Sequence, residues 1–308
     1  MRLLADPAVP AFAPGIARYV ELFRDQPPAP DIETLRLLGD LHAARFAQGL
    51  APRVSRFDTC IAAAGREIPI RIYDPGGPGP RAALAYFHGG GFSMGSIASF
   101  DLAAAALAEA IGAVVASVHY RRLPDSDYAA AQDDCDQAFA WLVRNAALLD
   151  VAPERIGAAG DSAGALLAFA CAANARDHGG PVPACMLLFY GTFAMDPERP
   201  DYAGSRDPLL TGERVRQYIA LFRRCGGLDA APAPLDRADL AGLPPAHIVA
   251  AEFDPLRGEG EQFAERLGAS FRCAPGMIHG FLRAIGVSPD ARAELARAAE
   301  AVRPYLEG

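Results

Sequence analysis

The hydrophobic positions in the first fifty residues repeat at the spacing of α-helices. The two stripes consist of Ile16, Tyr19, Val20 and Phe23, and of Leu35, Leu37, Leu38 and Leu41. Apolar residues three and four positions apart lie on one face of a helix. We therefore predict two amphipathic helices, the second beginning after a cap at Asp31 and ending at Gly49.

The spacing then changes to that of β-strands. Ile68, Ile70 and Ile72 alternate with other residues before a turn at 74–77, which is typical of a half-buried strand at an antiparallel sheet edge. Short uninterrupted apolar runs follow, separated by helix-length segments, at 82–87, 113–118, 155–160, 184–189 and 246–251. Strands that are apolar throughout are buried on both faces. The pattern predicts an α/β fold with a mostly parallel sheet between two layers of helices.

The interval between the last two apolar runs is too long for a single helix. Residues 192–232 contain several X-Pro pairs and a helix-like segment at 213–224, so we interpret them as an insertion. Ligands of α/β proteins bind at the carboxyl ends of the strands. We predict that residues 1–50 and the insertion form a cap there, and that residues 51–308 form the main domain.

The composition excludes several enzyme classes, because all 29 basic residues are arginine and none is lysine. The chain therefore lacks the amine that Schiff-base enzymes, P-loop nucleotide sites and Ser-x-x-Lys hydrolases require. A net charge of −8 without a basic run argues against nucleic acid or an anionic membrane surface as partner. We expect a partner that is small and not strongly acidic.

Targeting and metal signals are also missing from the sequence. Asp6 and Pro7 interrupt the N-terminus before a signal peptide could form, and the longest uncharged apolar segment, 163–173, is too short to span a bilayer. The six cysteines are scattered and form no Cys-x-x-Cys pair, which argues against a metal site. We expect reduced thiols in a cytoplasmic protein without a membrane span.

The strongest local motif is Gly-Asp-Ser-Ala-Gly at residues 160–164. It follows an apolar strand and precedes a helical run, which is the context of a nucleophile elbow. Flanking glycines allow a tight turn that exposes the hydroxyl of Ser162, our candidate nucleophile. Asp161 is interpreted as a structural hydrogen-bonding residue of that turn.

A second motif, His-Gly-Gly-Gly at residues 88–91, follows another strand. Glycines at a strand end let backbone N–H groups point together at a developing negative charge. The expected oxyanion hole consists of the N–H groups of Gly89, Gly90 and Ala163.

Six histidines are available as a base for the serine. In elbow-containing hydrolases the acid and then the histidine follow the nucleophile. His178 lies about 24 Å along the helix that Ser162 opens, and His247 begins a strand, about 20 Å from the end where the acid must lie. His279 remains as the candidate base. Asp254, in the loop after the strand at 246–251, is the preferred acid, with Glu252 as the alternative.

These motifs together resemble the hormone-sensitive-lipase-like family of bacterial carboxylesterases. The resemblance rests on residues 88–92, 160–164, 254–257 and 279–281 and extends from about residue 50 to the end. It implies an α/β-hydrolase fold with an eight-stranded sheet and a helical cap, with residues 51–308 as the catalytic domain. It also implies a Ser-His-Asp carboxylesterase that forms an acyl-enzyme from small esters of short to medium acyl chains, needs no cofactor, and dimerises through its last edge strand.

The chain departs from the family pattern at His119, Arg122, Ala165 and Gly258, none of which is a triad member. Phe92, Met94 and Phe281 are our candidates for lining the substrate pocket, and four further aromatic residues could either line it or pack in the core: Phe193, Tyr202, Tyr218 and Phe222. Two other functions stay open at this point. One is a non-catalytic ligand-binding module, and the other is an acyltransferase or lyase that uses the same oxyanion site.

Overall fold

Eight strands form one sheet in the computed structural model, which describes residues 11–25, 27 and 29–307. The strands are β1 Ser55–Ala63, β2 Arg66–Asp74, β3 Arg81–Phe87, β4 Val114–Val118, β5 Val151–Asp161, β6 Met186–Phe189, β7 Ala246–Ala251 and β8 Ser270–Ala274. They lie in the order β1-β2-β4-β3-β5-β6-β7-β8. The pairings β1–β2 and β2–β4 are antiparallel, and the others are parallel. The predicted mostly parallel sheet is confirmed.

Helices cover both faces of this sheet, and the sheet separates two hydrophobic cores. The helices are α1 Ile16–Arg24, α2 Ile32–Ala47, α3 Asp101–Ile111, α4 Tyr128–Arg144, α5 Ala163–Asp177, α6 Gly212–Arg224, α7 Gly227–Ala230, α8 Arg257–Leu267 and α9 Pro289–Glu307. Successive side chains of a strand point to opposite faces. Accordingly, Ala158 packs in the core with α4, α5 and α8, whereas its neighbour Ala159 packs in the core with α3 and α9.

The edge hairpin follows its sequence pattern closely. Ile68, Ile70 and Ile72 of β2 are all buried. Strand β1, which pairs with β2 over its whole length, is mostly exposed. The prediction of an antiparallel strand near one edge of the sheet is confirmed.

The two N-terminal helices are confirmed, but the apolar stripe of the second was assigned wrongly. Asp31 caps α2 by accepting a hydrogen bond from the Thr34 N–H at 2.7 Å. Leu37 and Leu41, however, are 56% and 62% exposed. The buried positions of α2 are His42 and Phe46. The leucines were grouped by type, although positions 37 and 41 lie on the face opposite to the one that packs.

The segment 192–232 lies between β6 and β7 and contains α6 and α7. Val215, Ile219 and Phe222 form the buried side of α6. No helix in the described part of the chain is long and apolar enough to cross a membrane. Among the same residues, no three His, Cys, Asp or Glu side chains lie close enough together to hold a metal ion.

Candidate active site

Ser162 occupies the sharp turn between β5 and α5. Its backbone has φ 54° and ψ −121°, a positive-φ conformation that residues other than glycine rarely adopt. Its N–H donates to the carbonyl of Phe189 in β6 at 2.9 Å, which fixes the turn to the sheet. A Cβ atom at Gly160 would lie 2.2 Å from the Gly164 carbonyl oxygen, and one at Gly164 would lie 1.9 Å from that of Phe87. Both flanking positions therefore require glycine.

The side chains of Asp254, His279 and Ser162 form one hydrogen-bonded line. His279 Nε2 lies 2.8 Å from Ser162 Oγ, and His279 Nδ1 lies 2.7 Å from Asp254 Oδ2. The other oxygen of Asp254 accepts the Leu256 N–H at 2.8 Å. The structure therefore brings together the three candidate side chains. Ser162 and His279, which are in contact, lie 117 positions apart in the sequence.

The electrostatic setting of His279 favours its protonated form. Burial lowers the pKa of this imidazole, whereas the charge of Asp254 and the hydrogen bond to it raise it. Asp207 and Asp161 add to the effect, so the pKa of His279 is raised above its ordinary value. The Asp254 carboxylate thus stabilises an imidazolium at this position.

The alternative acid, Glu252, points elsewhere. Its carboxylate accepts the Gly276 N–H at 2.7 Å and so holds the loop that follows β8. Asp254 is the carboxylate at hydrogen-bonding distance from the His279 ring, so the alternative is not supported. The two remaining histidines after Ser162 are also accounted for: His178 follows the end of α5, and His247 bonds to Ser270.

The glycine loop after β3 is held by buried polar contacts. His88 stacks between Tyr120 and Phe100, with ring centroids 4.4 and 5.6 Å away. Burial lowers the pKa of His88 to about 3, so its imidazole is neutral. The Tyr120 hydroxyl donates to the His88 carbonyl oxygen at 2.7 Å. This histidine therefore packs beneath the loop, and its role is structural.

One predicted oxyanion donor is corrected by these contacts. The N–H of Gly89 donates to Asp161 Oδ1 at 2.8 Å, so it is already engaged. Gly90 and Gly91 line the cleft instead, together with Ala163. Within the described ranges, none of these three N–H groups has a protein acceptor. The sequence pattern of three glycines could not tell which of them faces the ligand.

Asp161 carries the structural role predicted for it. Its Oδ1 atom accepts two hydrogen bonds, one from the Tyr86 hydroxyl at 2.6 Å and one from the Gly89 N–H at 2.8 Å. Burial raises the pKa of Asp161 to about 6, although these two donors act in the opposite direction. Asp161 thus joins the elbow to the glycine loop.

A cleft that is open to solvent lies above Ser162. Phe92, Met94 and Tyr218 line it. Phe281 does not, since it is fully buried and packs edge-on against Phe189 and Tyr190. The other three aromatic candidates are core residues as well: Phe193, Tyr202 and Phe222. Phe281 was a candidate because it lies close to His279 in the sequence. Its side chain, however, packs in the core beneath the sheet.

Asp207 is a site residue that sequence reasoning missed. Its Oδ2 accepts the backbone N–H of His279 at 2.6 Å. Its Oδ1 accepts the N–H groups of Leu209 and Leu210 at 2.8 and 2.9 Å. Burial raises the pKa of Asp207 to about 6, and the nearby charge of Asp254 adds to this. The only sequence signal was the pair Asp207-Pro208, one of the X-Pro pairs by which the insertion was identified.

The departures from the family pattern lie around the site and leave the hydrogen-bonded line intact. Arg122 donates to the Gly95 carbonyl oxygen at 2.7 Å, beneath the glycine loop. The His119 N–H donates to the Pro69 carbonyl oxygen at 2.9 Å, and Ala165 is fully buried in α5. A Cβ atom at Gly258 would lie 2.6 Å from Asp201 Oδ2. Glycine at 258 thus leaves room for the carboxylate of Asp201.

Known proteins resemble this chain over most of its length. The family described as alpha/beta hydrolase fold matches residues 84–283. Carboxylesterase NlhH from Mycobacterium tuberculosis is 38% identical over 256 residues, 78% of this chain and 79% of that protein. Ethyl acetate hydrolase from Pseudomonas putida is 31% identical over 255 residues, 79% and 80% of the two chains. A hyperthermophilic esterase structure from Pyrobaculum calidifontis has a TM-score of 0.86 at 29% identity and covers 95% of this chain and 98% of its own.

A mostly parallel eight-stranded sheet with a serine at the turn after its central strand defines the α/β-hydrolase class. The chain belongs to the α/β-hydrolase fold family, and its relatives confirm its predicted place among the hormone-sensitive-lipase-like carboxylesterases. The prediction of a carboxylic ester hydrolase is confirmed at the level of enzyme class.

Proposed function

We propose that this chain hydrolyses short- to medium-chain acyl esters with Ser162 as nucleophile, His279 as base and Asp254 as the orienting acid. The observation that carries the proposal is the line from Asp254 through His279 to Ser162, which ends at the floor of the open cleft. The relatives named as a carboxylesterase and an ethyl acetate hydrolase support the same substrate class.

In the first half of the reaction, Ser162 Oγ attacks the ester carbonyl while its proton passes to His279 Nε2. Asp254 fixes the imidazole with Nδ1 protonated and Nε2 free to accept. The carbonyl oxygen becomes an oxyanion, for which we propose the N–H groups of Gly90, Gly91 and Ala163 as donors. His279 returns the proton to the leaving alcohol, and an acyl ester on Ser162 remains.

In the second half, water replaces the alcohol. His279 takes a proton from the water as it attacks the acyl carbonyl, and the same N–H groups receive the oxyanion again. Collapse of this intermediate breaks the bond to Ser162 Oγ, which regains its proton from His279. The carboxylic acid leaves and the enzyme is regenerated.

Two segments are proposed as the cap over this site: the N-terminal helices α1 and α2, and the insertion 192–232. Tyr19 of α1, Leu35 of α2 and Tyr218 of α6 all line the same cleft as Ser162. This arrangement supports a cap that determines which acyl chains enter. Dimerisation through the edge strand β8 and a cytoplasmic location stay predictions.

The proposal is tested by p-nitrophenyl esters of increasing acyl length with the Ser162→Ala protein as control. We expect activity on the acetate and butyrate esters and its loss in the variant. Activity that survives in Ser162→Ala at the wild-type level would show that the nucleophile is a different group. Equal release of acid and alcohol separates hydrolysis from acyl transfer and elimination, and covalent labelling of Ser162 by an organophosphonate excludes a module that only binds.

A further inference from the structure

Arg283 places an unpaired positive charge in the wall of the same cleft. It lies in the short helical turn Phe281–Ala284, close after His279, and lines the cleft together with Ser162. Its Nε and Nη2 atoms are buried without a hydrogen-bond partner. No ion pair of Arg283 occurs in the part of the chain that the structure describes. Buried donors without acceptors are costly in a folded protein, so this guanidinium group needs an explanation.

Aromatic rings surround the guanidinium group but do not use its donors. The Cζ atom of Arg283 lies 5.0 Å from the ring centroid of Phe46, 5.5 Å from that of Phe100 and 6.0 Å from that of Phe23. Ring faces attract a cation and hold it in place. They accept no N–H···O hydrogen bond, so the two buried donors stay without an acceptor. A rigid, desolvated guanidinium group of this kind matches the geometry of a carboxylate.

The other charged residues of the cleft are already engaged. Arg36 donates to the carbonyl oxygens of Ser93 and Leu123, and Arg214 donates to the Leu209 carbonyl oxygen. Asp161 is the acidic residue among the lining, and it already accepts two hydrogen bonds. The residues that line the cleft thus include three arginines and one aspartate, although the whole chain carries −8. The sequence expectation of a partner that is not strongly acidic came from that overall charge, which does not describe the cleft.

We propose that Arg283 binds a carboxylate of the substrate, so that the preferred esters carry a free carboxyl group apart from the ester bond. Monoesters of dicarboxylic acids and acyl esters of hydroxy acids are the two forms of this chemistry. The inference rests on the proposed ester hydrolysis and names its substrate class. The carboxylate fills the empty hydrogen-bonding capacity of Arg283 while the ester carbonyl lies at Ser162 Oγ.

The test compares charged and neutral esters of the same length by acid release in a pH-stat. Monomethyl adipate is compared with dimethyl adipate, and 6-acetoxyhexanoate with its methyl ester. We expect kcat/KM to favour the charged member of at least one pair by about tenfold or more, the size of a desolvated charge-assisted hydrogen bond. The pair that shows the preference tells whether the acyl or the alcohol part lies at Arg283.

Three variants separate recognition from packing. Arg283→Met keeps the length of the side chain but removes the charge, so it should abolish the preference, whereas Arg283→Lys should retain part of it. Arg214→Met removes another cleft arginine and should leave the ratio near the wild-type value. A merely structural role of Arg283 would lower kcat/KM for the charged and the neutral esters equally.

The outcome is decisive even if Arg283→Met does not fold. In the wild-type protein, adipate should inhibit p-nitrophenyl acetate hydrolysis at about tenfold lower concentration than hexanoate. Equal inhibition, together with no preference in either ester pair, overturns the proposal. Wild-type hydrolysis of p-nitrophenyl acetate is the separate check on the esterase function, so the two proposals fail in different experiments.

Discussion

The carboxylate of Asp207 accepts a hydrogen bond from the backbone N–H of His279 at a distance of 2.6 Å. Asp207 belongs to the segment 192–232, whereas His279 lies in the loop after β8. The contact therefore joins the proposed cap to the proposed base. Because the other oxygen of Asp207 accepts two N–H groups of its own segment, a single carboxylate fixes both loops.

Replacing Asp207 should reduce turnover and stability together. Asp207→Asn keeps the size of the side chain but has one acceptor oxygen in place of two, so it leaves at least one buried N–H group facing an NH₂ group. We expect unfolding to become easier by about 1–3 kcal/mol and kcat to fall because the His279 loop loses its anchor. Urea denaturation and p-nitrophenyl butyrate kinetics measure the two effects. Asp229→Asn, an exposed position in the same segment, is the matched control, and equal kinetics of the two variants would contradict a positioning role.

The pH dependence of activity should follow the protonation of His279. Its pKa is raised mainly by Asp254, against the effect of burial. Only the neutral imidazole can accept the Ser162 proton, so kcat/KM should rise with pH and reach half its maximum above pH 6.5, the ordinary value for histidine. The profile of p-nitrophenyl acetate hydrolysis between pH 5 and 9 measures this midpoint.

Asp254→Asn should separate the orienting and electrostatic effects of the acid. The amide cannot stabilise the imidazolium, and it favours the wrong tautomer of His279. We expect kcat to fall by about 10⁴-fold, the size of this change in a serine protease, and the remaining activity to have a lower pH midpoint. Glu252→Gln is the matched control, since Glu252 holds the Gly276 N–H instead. A similar loss of kcat in both variants would refute the assignment of the acid.

The fold and the central line of the site follow from local sequence signals. Apolar runs locate the buried strands because both of their faces are covered, and the elbow motif locates Ser162 because only glycine fits at 160 and 164. His279 could be selected by elimination because distance along helices and strands is fixed by their rise per residue.

The parts that could not be predicted depend on side-chain direction between distant segments. Gly89 and Gly90 are indistinguishable in sequence, and only the position of Asp161 decides which N–H group is engaged. Phe281 adjoins the base in sequence but packs in the core. Asp207 and Arg283 act through partners that come from other elements, and neither belongs to a local motif.

Two glycines should respond to alanine in opposite directions. Gly164→Ala would place a Cβ atom 1.9 Å from the backbone oxygen of Phe87, which cannot move without disturbing β3. We expect a loss of at least about 3 kcal/mol in the free energy of unfolding, or no folded protein. Gly39→Ala lies within α2, where the added Cβ atom meets nothing within 4 Å. Alanine should stabilise that helix by about 0.5–1 kcal/mol. Thermal or urea unfolding checks both, and a destabilised Gly39→Ala protein would contradict the open space at that position.

Glu259 should make the protein less stable as pH rises. It is fully buried in α8, and its carboxylate accepts the N–H groups of Phe193 and Ala194, at the start of the segment 192–232. Burial raises the pKa of Glu259 to about 7, although these two hydrogen bonds act against it.

A folded-state pKa above the unfolded value means that the folded protein binds the extra proton between about pH 4.5 and 7, so stability falls through that range as the proton is lost. The contribution of this group between the two limits is about 3 kcal/mol.

Glu259→Gln cannot ionise and keeps an acceptor oxygen for the two N–H groups. The variant should therefore lose less stability than the wild type between pH 5 and pH 8, as measured by urea denaturation at both values. Glu261→Gln, exposed on the same helix, should behave like the wild type. If Glu259→Gln shows the same pH dependence as the wild type, Glu259 does not titrate between these limits, and another group must account for any change.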